Sequence, residues 1–469
     1  MQSASEIREA ILVGETSCEA VVSAALERAK PVQERLNAFT ILLDEEALAA
    51  ARWIDGSGAP ADAGLLHGVP IVIKDMTPTA GHPTTLGSLT TGEGITDHDA
   101  VIVQRLKAQG AIVIGKTTTP EFAFSSFTRS PRYGPTRNPW DTSRTPGGSS
   151  GGSAVAVATG VVPLGEGTDM GGSVRIPAGA SGVVGFKPSL GRTPMSILPT
   201  GVDTISHFGP LASCVADAAL FVAAGAGGHP ADLLSQTRDF RLADTAPAPL
   251  QGLRFALSHD LGYCAVQPEV SDALQNTADE LARAGAEIVE VDLPWTRAVY
   301  DEWIKHWNAL LALFPTGQTP EQRAQMDPTL AACIEEGRAL SALDLMRVGI
   351  LRKEMSLQLG AILESCDALL CPTNAVEAPP VDAPETDYEA DTEDGKFCAF
   401  DMTHPFNMLS NLPVLSLPIG LTPSGLPMGM QIVGRPYQDE RLLAIAGGIE
   451  AMRGPFPAPP NFQPSPFQR

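Results

Sequence analysis

One step recurs along this chain: an amphipathic helix, a glycine stop, and an apolar run short enough to be a single buried strand. Residues 99–109 read as a helix with Asp99 near its start, Gly110 ends it, and AIVIGK (111–116) follows as a strand. LRFALS (253–258), an amphipathic helix over 268–284 and AEIVEVDL (286–293) repeat the pattern as strand, helix and strand. VPIVIK (69–74), DALLCPT (367–373), LPVLSLPIG (412–420) and MGMQIVG (428–434) read as further strands, and 439–451 as a closing helix. Strands that are apolar on both faces must be covered on both faces, so this spacing predicts an α/β fold. Residues 4–54 read as helices.

The chain has 469 residues, no internal repeat and no clean linker before residue 384, which favours one large domain over several small ones. With 43% apolar residues it can build a sizeable core. Its 32 basic and 54 acidic residues leave a net charge of −22, which excludes the basic surface that nucleic-acid binding requires. The seven cysteines form no CxxC, and Cys366 and Cys371 read as small buried hydrophobes. No HExxH or spaced His/Cys set is present, so neither a metal nor another cofactor is expected. MQSASEIREAILVGE is not a signal peptide, and Asp217 interrupts the short apolar run 214–228, so no membrane span is expected and the reading is a cytoplasmic protein. The acidic stretch PETDYEADTEDG (384–395) reads as a solvated loop.

The chemistry gathers in TPGGSSGGSAVAVATG (145–160), where eleven of sixteen residues are Gly, Ser or Ala. It is not a P-loop, because no lysine follows it. It contains a literal GxSxG at Gly147–Gly151, but a nucleophile elbow needs a buried strand just before it, and YGPTRNPWDTSRTP supplies three prolines and no apolar run. AVAVATG reads as a helix capped by the Gly/Ser loop and by Gly160. A second Gly-embedded serine, Ser173, lies in LGEGTDMGGSVRIPAGASG (164–182). No histidine stands out as a partner: His67 and His207 read as loop or core residues, and His404 is distant in sequence. Lys74 ends a buried strand. A lysine can serve as the base for a serine if its pKa falls by roughly 3 units, and burial between an apolar strand and a carboxylate-poor loop would do that by desolvation. Asp75 should point the other way.

These residues resemble the amidase signature family of Ser–Ser–Lys hydrolases. The resemblance is carried by LHGVPIVIKD (66–75), AIVIGKTTTPEFA (111–123), YGPTRNPWD (133–141), PGGSSGGSAVAVATG (146–160), GTDMGGSVRIPAGASGVVGFKPSLGRTP (167–194) and GLPMGMQIVGRPYQDERLLAIA (425–446). It implies a single α/β domain over 1–469, with a central mixed sheet covered by helices on both faces. The parts are N-terminal helices (1–60), the signature core (61–225), an α/β part shaping the substrate entrance (226–383), the acidic loop (384–396) and C-terminal strands and helix (397–469). It implies that Lys74 is the base, that Ser149 bridges and follows a cis peptide from Gly148, and that Ser173 is the acyl-forming nucleophile. The N–H groups of Met170, Gly171, Gly172 and Ser173 would hold the oxyanion. Asp169 and Arg175 would pin the loop, with Ser150 and Ser153 stabilising it. Met170, Glu166 and Ile176 depart from residues common in the family; the A subunits of tRNA-dependent amidotransferases usually carry glutamine at the place of Ile176.

Phe122, Phe124, Ser125 and Phe127 of EFAFSSFT (121–128), with Tyr133, are expected to line the acyl pocket, and Trp303 and Trp307 to share one helix face. No arginine is evident in that wall. The expected substrate is therefore a small neutral amide, anilide or carbamate, of the kind an amidase, acylamidase or urethanase cleaves. The expected partner is that small molecule alone, with neither nucleic acid nor membrane, and the enzyme a monomer or homodimer. Two alternatives stay open at this point: a glutaminase subunit of a tRNA-dependent amidotransferase, and an α/β-hydrolase-type esterase using Ser149 and a histidine.

Overall fold

Successive residues of the strand at 70–74 face opposite ways: Ile71 and Ile73 enter one apolar cluster and Val72 another. The neighbouring strand does the same, with Val113 on the first side and Ile112 and Ile114 on the second. Both faces of the sheet are thus buried, as the apolar runs require. The computed structural model describes residues 2–58, 62–314 and 319–462, and it is one large α/β domain.

Eleven strands form the main sheet: β1 (Phe39–Leu42), β2 (Pro70–Lys74), β3 (Ile112–Thr117), β4 (Leu164–Asp169), β5 (Val184–Lys187), β6 (His207–Ala212), β7 (Arg254–Leu257), β8 (Glu287–Glu290), β9 (Ala368–Pro372), β10 (Val414–Leu421) and β11 (Pro427–Val433). Their order across the sheet is β1-β3-β2-β4-β6-β5-β10-β11-β9-β7-β8. β2 runs parallel to both β3 and β4, whereas β6, β5, β10 and β11 form an antiparallel centre. The helices that matter below are α1 (Ala4–Leu12), α2 (Cys18–Leu36), α3 (Asp44–Ser57), α4 (Val101–Ala108), α5 (Gly151–Ala158), α6 (Arg175–Ser181), α7 (Val215–Gly225), α8 (Pro268–Arg283) and α9 (Ala298–Leu311).

The structure differs from the sequence reading in three places. The N-terminal region is not helical throughout. Asn37 ends α2 in the left-handed conformation, and Phe39–Leu42 then pairs antiparallel with β3 as an edge strand. LGEGTD, to which the sequence reading assigned no element, is a fully buried strand, β4. Its polar side chains are bonded inside the protein, as shown below, so the apolar signature of an interior strand is missing. The stretch 384–395 is mostly exposed, as its composition suggests, but it is not loop throughout. Glu385–Tyr388 makes a single helical turn, and 389–391 and 397–399 pair in a small three-stranded sheet with 264–265.

Among the described residues no helix is long and apolar enough to cross a membrane. Nor does any cluster of His, Cys, Asp and Glu among them suit a metal ion.

Candidate active site

β2 and β4 run parallel and end at one edge of the sheet, which brings Lys74 and the pair Thr168–Asp169 side by side. The turn 145–150 lies across this edge and leads into α5; the turn 170–174 leads into α6. The main-chain N–H of Ser150 donates to the carbonyl of Ser173 at 3.1 Å, which holds the two serine-bearing turns together. The Gly148–Ser149 peptide is cis.

Lys74 is fully buried, and its Nζ has three hydroxyl neighbours: Ser149 Oγ at 2.6 Å, Thr168 Oγ1 at 2.9 Å and Ser150 Oγ at 3.0 Å. Two of these have another acceptor for their own hydrogen. Ser150 donates to Thr168 O at 3.3 Å and Thr168 donates to Met76 Sδ at 3.6 Å, so both accept from the lysine. A neutral amine has two hydrogens and one lone pair. With both hydrogens placed, the lone pair is left facing Ser149, whose hydroxyl has no other hydrogen-bond partner among the described residues. Burial pushes the amine well below the usual lysine range, against the opposing charges of Glu166 and Asp169. The neighbourhood is therefore not carboxylate-poor, as the sequence suggested; desolvation outweighs the carboxylates. Asp75 does point away, to Lys116 at 3.5 Å and to Thr85.

Ser173 lies on the wall of a cavity of about 420 Å3. Beside it, the N–H groups of Gly171, Gly172 and Ser173 have no acceptor among the described residues. The carbonyls of the same turn are held from outside: Trp303 Nε1 donates to Met170 O at 3.1 Å and Thr403 Oγ1 to Gly171 O at 2.5 Å. The turn tolerates nothing larger than glycine. Gly172 has φ +132°, and a Cβ there would sit 1.7 Å from Thr403 Oγ1; one on Gly171 would sit 2.3 Å from the Trp303 ring. The Met170 N–H likewise has no acceptor among the described residues, and consecutive unbonded N–H groups of this kind can form an anion-binding nest.

Asp169 and Arg175 flank that turn as a buried, two-pronged ion pair, with Nη2–Oδ1 at 2.9 Å and Nε–Oδ2 at 3.0 Å. Arg175 also donates to Thr403 O, to Gln431 Oε1 and to Asn407 Oδ1, while Asn407 Nδ2 returns to Asp169 Oδ1 at 2.8 Å. Burial opposes the Asp169 charge, but the Arg175 guanidinium and these donors hold its carboxyl well below the usual carboxylate range.

Phe124, Ser125 and Phe127 line the cavity, whereas Phe122 and Tyr133 stand outside it. Phe122 takes a left-handed conformation in the turn 121–123 and packs on Phe314, and the Tyr133 hydroxyl is bonded by Thr85. Trp303 and Trp307 lie stacked on α9 and form the opposite wall. An arginine is present in the lining after all: Arg129. It is engaged, donating to Ala383 O at 3.0 Å and standing 3.8 Å from Glu385. Glu385 in turn accepts from Ser125 Oγ, and burial pushes it up to about 7. Asp327, Glu336, Glu389 and Asp401 complete an acidic rim. His404 lines the same cavity, bonded through Nε2 to Tyr263 at 2.9 Å and not to Ser149.

Sequence reasoning missed Thr168, Thr403, Asn407 and Gln431, each ordinary in its local context and significant only once folding brings it to the two turns. It noticed Glu166 without giving it a place; Glu166 is buried between β2 and Thr77.

The model of the amidase family matches residues 20–443. An acylamidase of Rhodococcus erythropolis is 34% identical over 457 residues, covering 96% of this chain and 95% of that protein. The A subunit of a glutamyl-tRNA(Gln) amidotransferase from Anaeromyxobacter sp. (strain K) is 33% identical over 480 residues, with 94% of each chain covered. Among solved structures, a bacterial aryl acylamidase belonging to the amidase signature enzymes superposes with a TM-score of 0.88 at 28% identity, covering 96% of both chains.

Proposed function

The chain belongs to the amidase family and is a hydrolase of amide C–N bonds, and from that premise we propose that it cleaves a small neutral amide, anilide or carbamate through an acyl-enzyme on Ser173. The observation that carries this reading is the fully buried Lys74 Nζ, 2.6 Å from Ser149 Oγ and surrounded by hydroxyls. Ser149 Oγ bonds Lys74 and not Ser173 in this structure, so the Ser173 hydroxyl must turn to Ser149 as substrate binds; Lys74 then takes the Ser149 proton as Ser149 takes the Ser173 proton, and Ser173 Oγ adds to the carbonyl. The oxygen that becomes negative occupies the nest of Gly171, Gly172 and Ser173 N–H groups. Each such donor is worth on the order of 100-fold in rate. When the C–N bond breaks, the proton returns from Lys74 through Ser149 to the departing nitrogen, which leaves as a neutral amine. Water then repeats the sequence on the acyl ester and regenerates Ser173.

The substrate class is supported by the cavity. Phe124, Phe127, Trp303 and Trp307 offer apolar and aromatic wall, the rim is acidic, and the guanidinium of Arg129 is already engaged. A substrate carboxylate would meet like charge there. The second reading, a glutaminase component of an amidotransferase, draws on the similarity to amidotransferase A subunits. It has against it Ile176, which presents an apolar side chain to the cavity, and the lack of an unengaged cation on the described wall to hold an amino-acid carboxylate. The esterase reading has against it that Ser149 partners Lys74 and that no strand leads into it.

A serine-directed phosphonofluoridate followed by mass spectrometry tests the proposal. A phosphonyl adduct on Ser173 is the expected result; an adduct on Ser149 overturns it.

A further inference from the structure

β2 and β4 stop pairing before the residues that matter. Their ladder covers Ile71 with Leu164 and Val72 with Gly165, and then the strands separate. The next N–H of β2 that faces β4 is that of Lys74, and it finds no backbone carbonyl there. It donates instead to Glu166 Oε2 at 2.9 Å, while Thr77 Oγ1 donates to Glu166 Oε1 at 2.9 Å. A side chain has taken the place of a ladder bond at the residue carrying the amine, and that side chain is a carboxyl group 1% exposed.

We propose that Glu166 is a positioning residue for Lys74: its carboxylate anchors the lysine main chain where β2 leaves β4, and its negative charge sustains the amine's affinity for a proton. The inference rests on Lys74 being the base. A base that hands its proton back must hold it for the lifetime of the tetrahedral intermediate. A dry site alone drives the amine toward a proton affinity too low for that; a fixed anion nearby restores part of it.

Among the carboxylates around the amine, Glu166 is the one bonded to the main chain of Lys74 itself. β3 contributes Lys116, whose own carboxylate partner is Asp75 at 3.5 Å. Asp169, on β4 itself, is committed to Arg175 and Asn407. β6 contributes His207, beside Asp169 O. α5 presents hydroxyls, including Ser153, which donates to Glu166 O. α7 carries Asp217 at the opposite end of β4, bound to Ala4 N–H and Ser213. Burial pushes Glu166 up, while the Lys74 N–H, Thr77 and the charges of Lys74 and Lys116 pull it back toward ionisation.

Glu166→Gln separates the two roles. The amide can still accept from the Lys74 N–H and donate to Thr77, but the charge is gone. With an uncharged anilide as substrate, the acid limb of the kcat/KM–pH profile is expected to move down by about one pH unit, because the unsupported amine loses its proton more readily. Glu166→Leu, which loses the anchor as well, is expected to lower kcat about tenfold or more with KM little changed. Thr77→Val keeps the carboxyl and removes one of its donors; it should move the limb in the same direction by less, and it serves if Glu166→Gln does not fold. A part that is merely structural would lower the melting temperature and leave the limb in place. An acid limb that stays put or rises in the folded variants, with Lys74→Ala inactive, overturns this inference alone. Turnover that survives in Lys74→Ala overturns the reading of the base, and this inference with it.

Discussion

Asp169 and Arg175 meet across the turn that carries Ser173, bonded by two nitrogens to two oxygens and both fully buried. The pair fixes both ends of a five-residue turn whose middle must keep three N–H groups unbonded. Removing one partner leaves the other charge uncompensated in the core, which costs about 3–5 kcal/mol. Arg175→Met is expected to lose that much stability in denaturant unfolding and to be inactive.

The same pair gives a signed pH prediction. Asp169 has a folded pKa below its unfolded value, so its contribution to stability is present above the ordinary aspartate value of about 4 and is given up as pH falls from there toward the folded value. The stability difference between wild type and Asp169→Asn should therefore be constant from pH 8 to about pH 5 and shrink below about pH 4. A difference that grows on acidification would contradict it.

Lys74, Ser149 and Ser173 should not be equivalent to remove. Ser173→Ala and Lys74→Ala are each expected to lose at least about 1,000-fold in kcat, as nucleophile and base. Ser149→Ala should be severely impaired but still take up the phosphonofluoridate slowly, since its nucleophile is intact. Rates of adduct formation by mass spectrometry separate the three.

Gly172→Ala is expected to fold and to lose activity. Its Cβ would fall 1.7 Å from Thr403 Oγ1 and the backbone has φ +132°, so the turn must rearrange and the N–H groups lose their common aim. Thr403→Ser should not rescue it, because that hydroxyl remains. Paired kcat and melting measurements check both statements.

Substrate charge should be read in kcat/KM. Acetanilide-like aryl amides are expected to exceed carboxylate-bearing amides such as glutamine by about 100-fold or more, because Asp327, Glu336, Glu389 and Asp401 rim the cavity. A preference for free glutamine or for dicarboxylic monoamides would refute the substrate class and favour the amidotransferase reading.

The strands most legible in the sequence were those whose side chains are apolar on both faces, such as 70–74 and 112–117. The strand hardest to see was 164–169, since Glu166, Thr168 and Asp169 spend their polarity on Lys74, Thr77 and Arg175, partners invisible before folding. Phe122 is adjacent in sequence to the cavity residue Ala123 but sits in a left-handed turn, and Tyr133 lies four residues beyond Arg129 with its hydroxyl bonded by Thr85. The acidic stretch is mostly exposed, as its composition suggested, and what composition could not show is that Glu385 and Glu389 line the cavity. Motif resemblance pointed to Ser149 and Ser173 and to the Asp169–Arg175 pair that brackets the second turn; the partners from Trp303 and from 403–431 were not legible, because they arrive from distant segments.

Arg175 reaches Thr403, 228 residues away in the chain, and Gln431, 256 away. The nucleophile's turn is thus tied down by segments that a ribosome makes long after the serine itself. A nascent chain that has emerged only through β6 would contain Lys74, Ser149 and Ser173 but none of the partners that Arg175 takes from 403–431. The final geometry of this turn therefore waits on the C-terminal strands, however early its own residues are made.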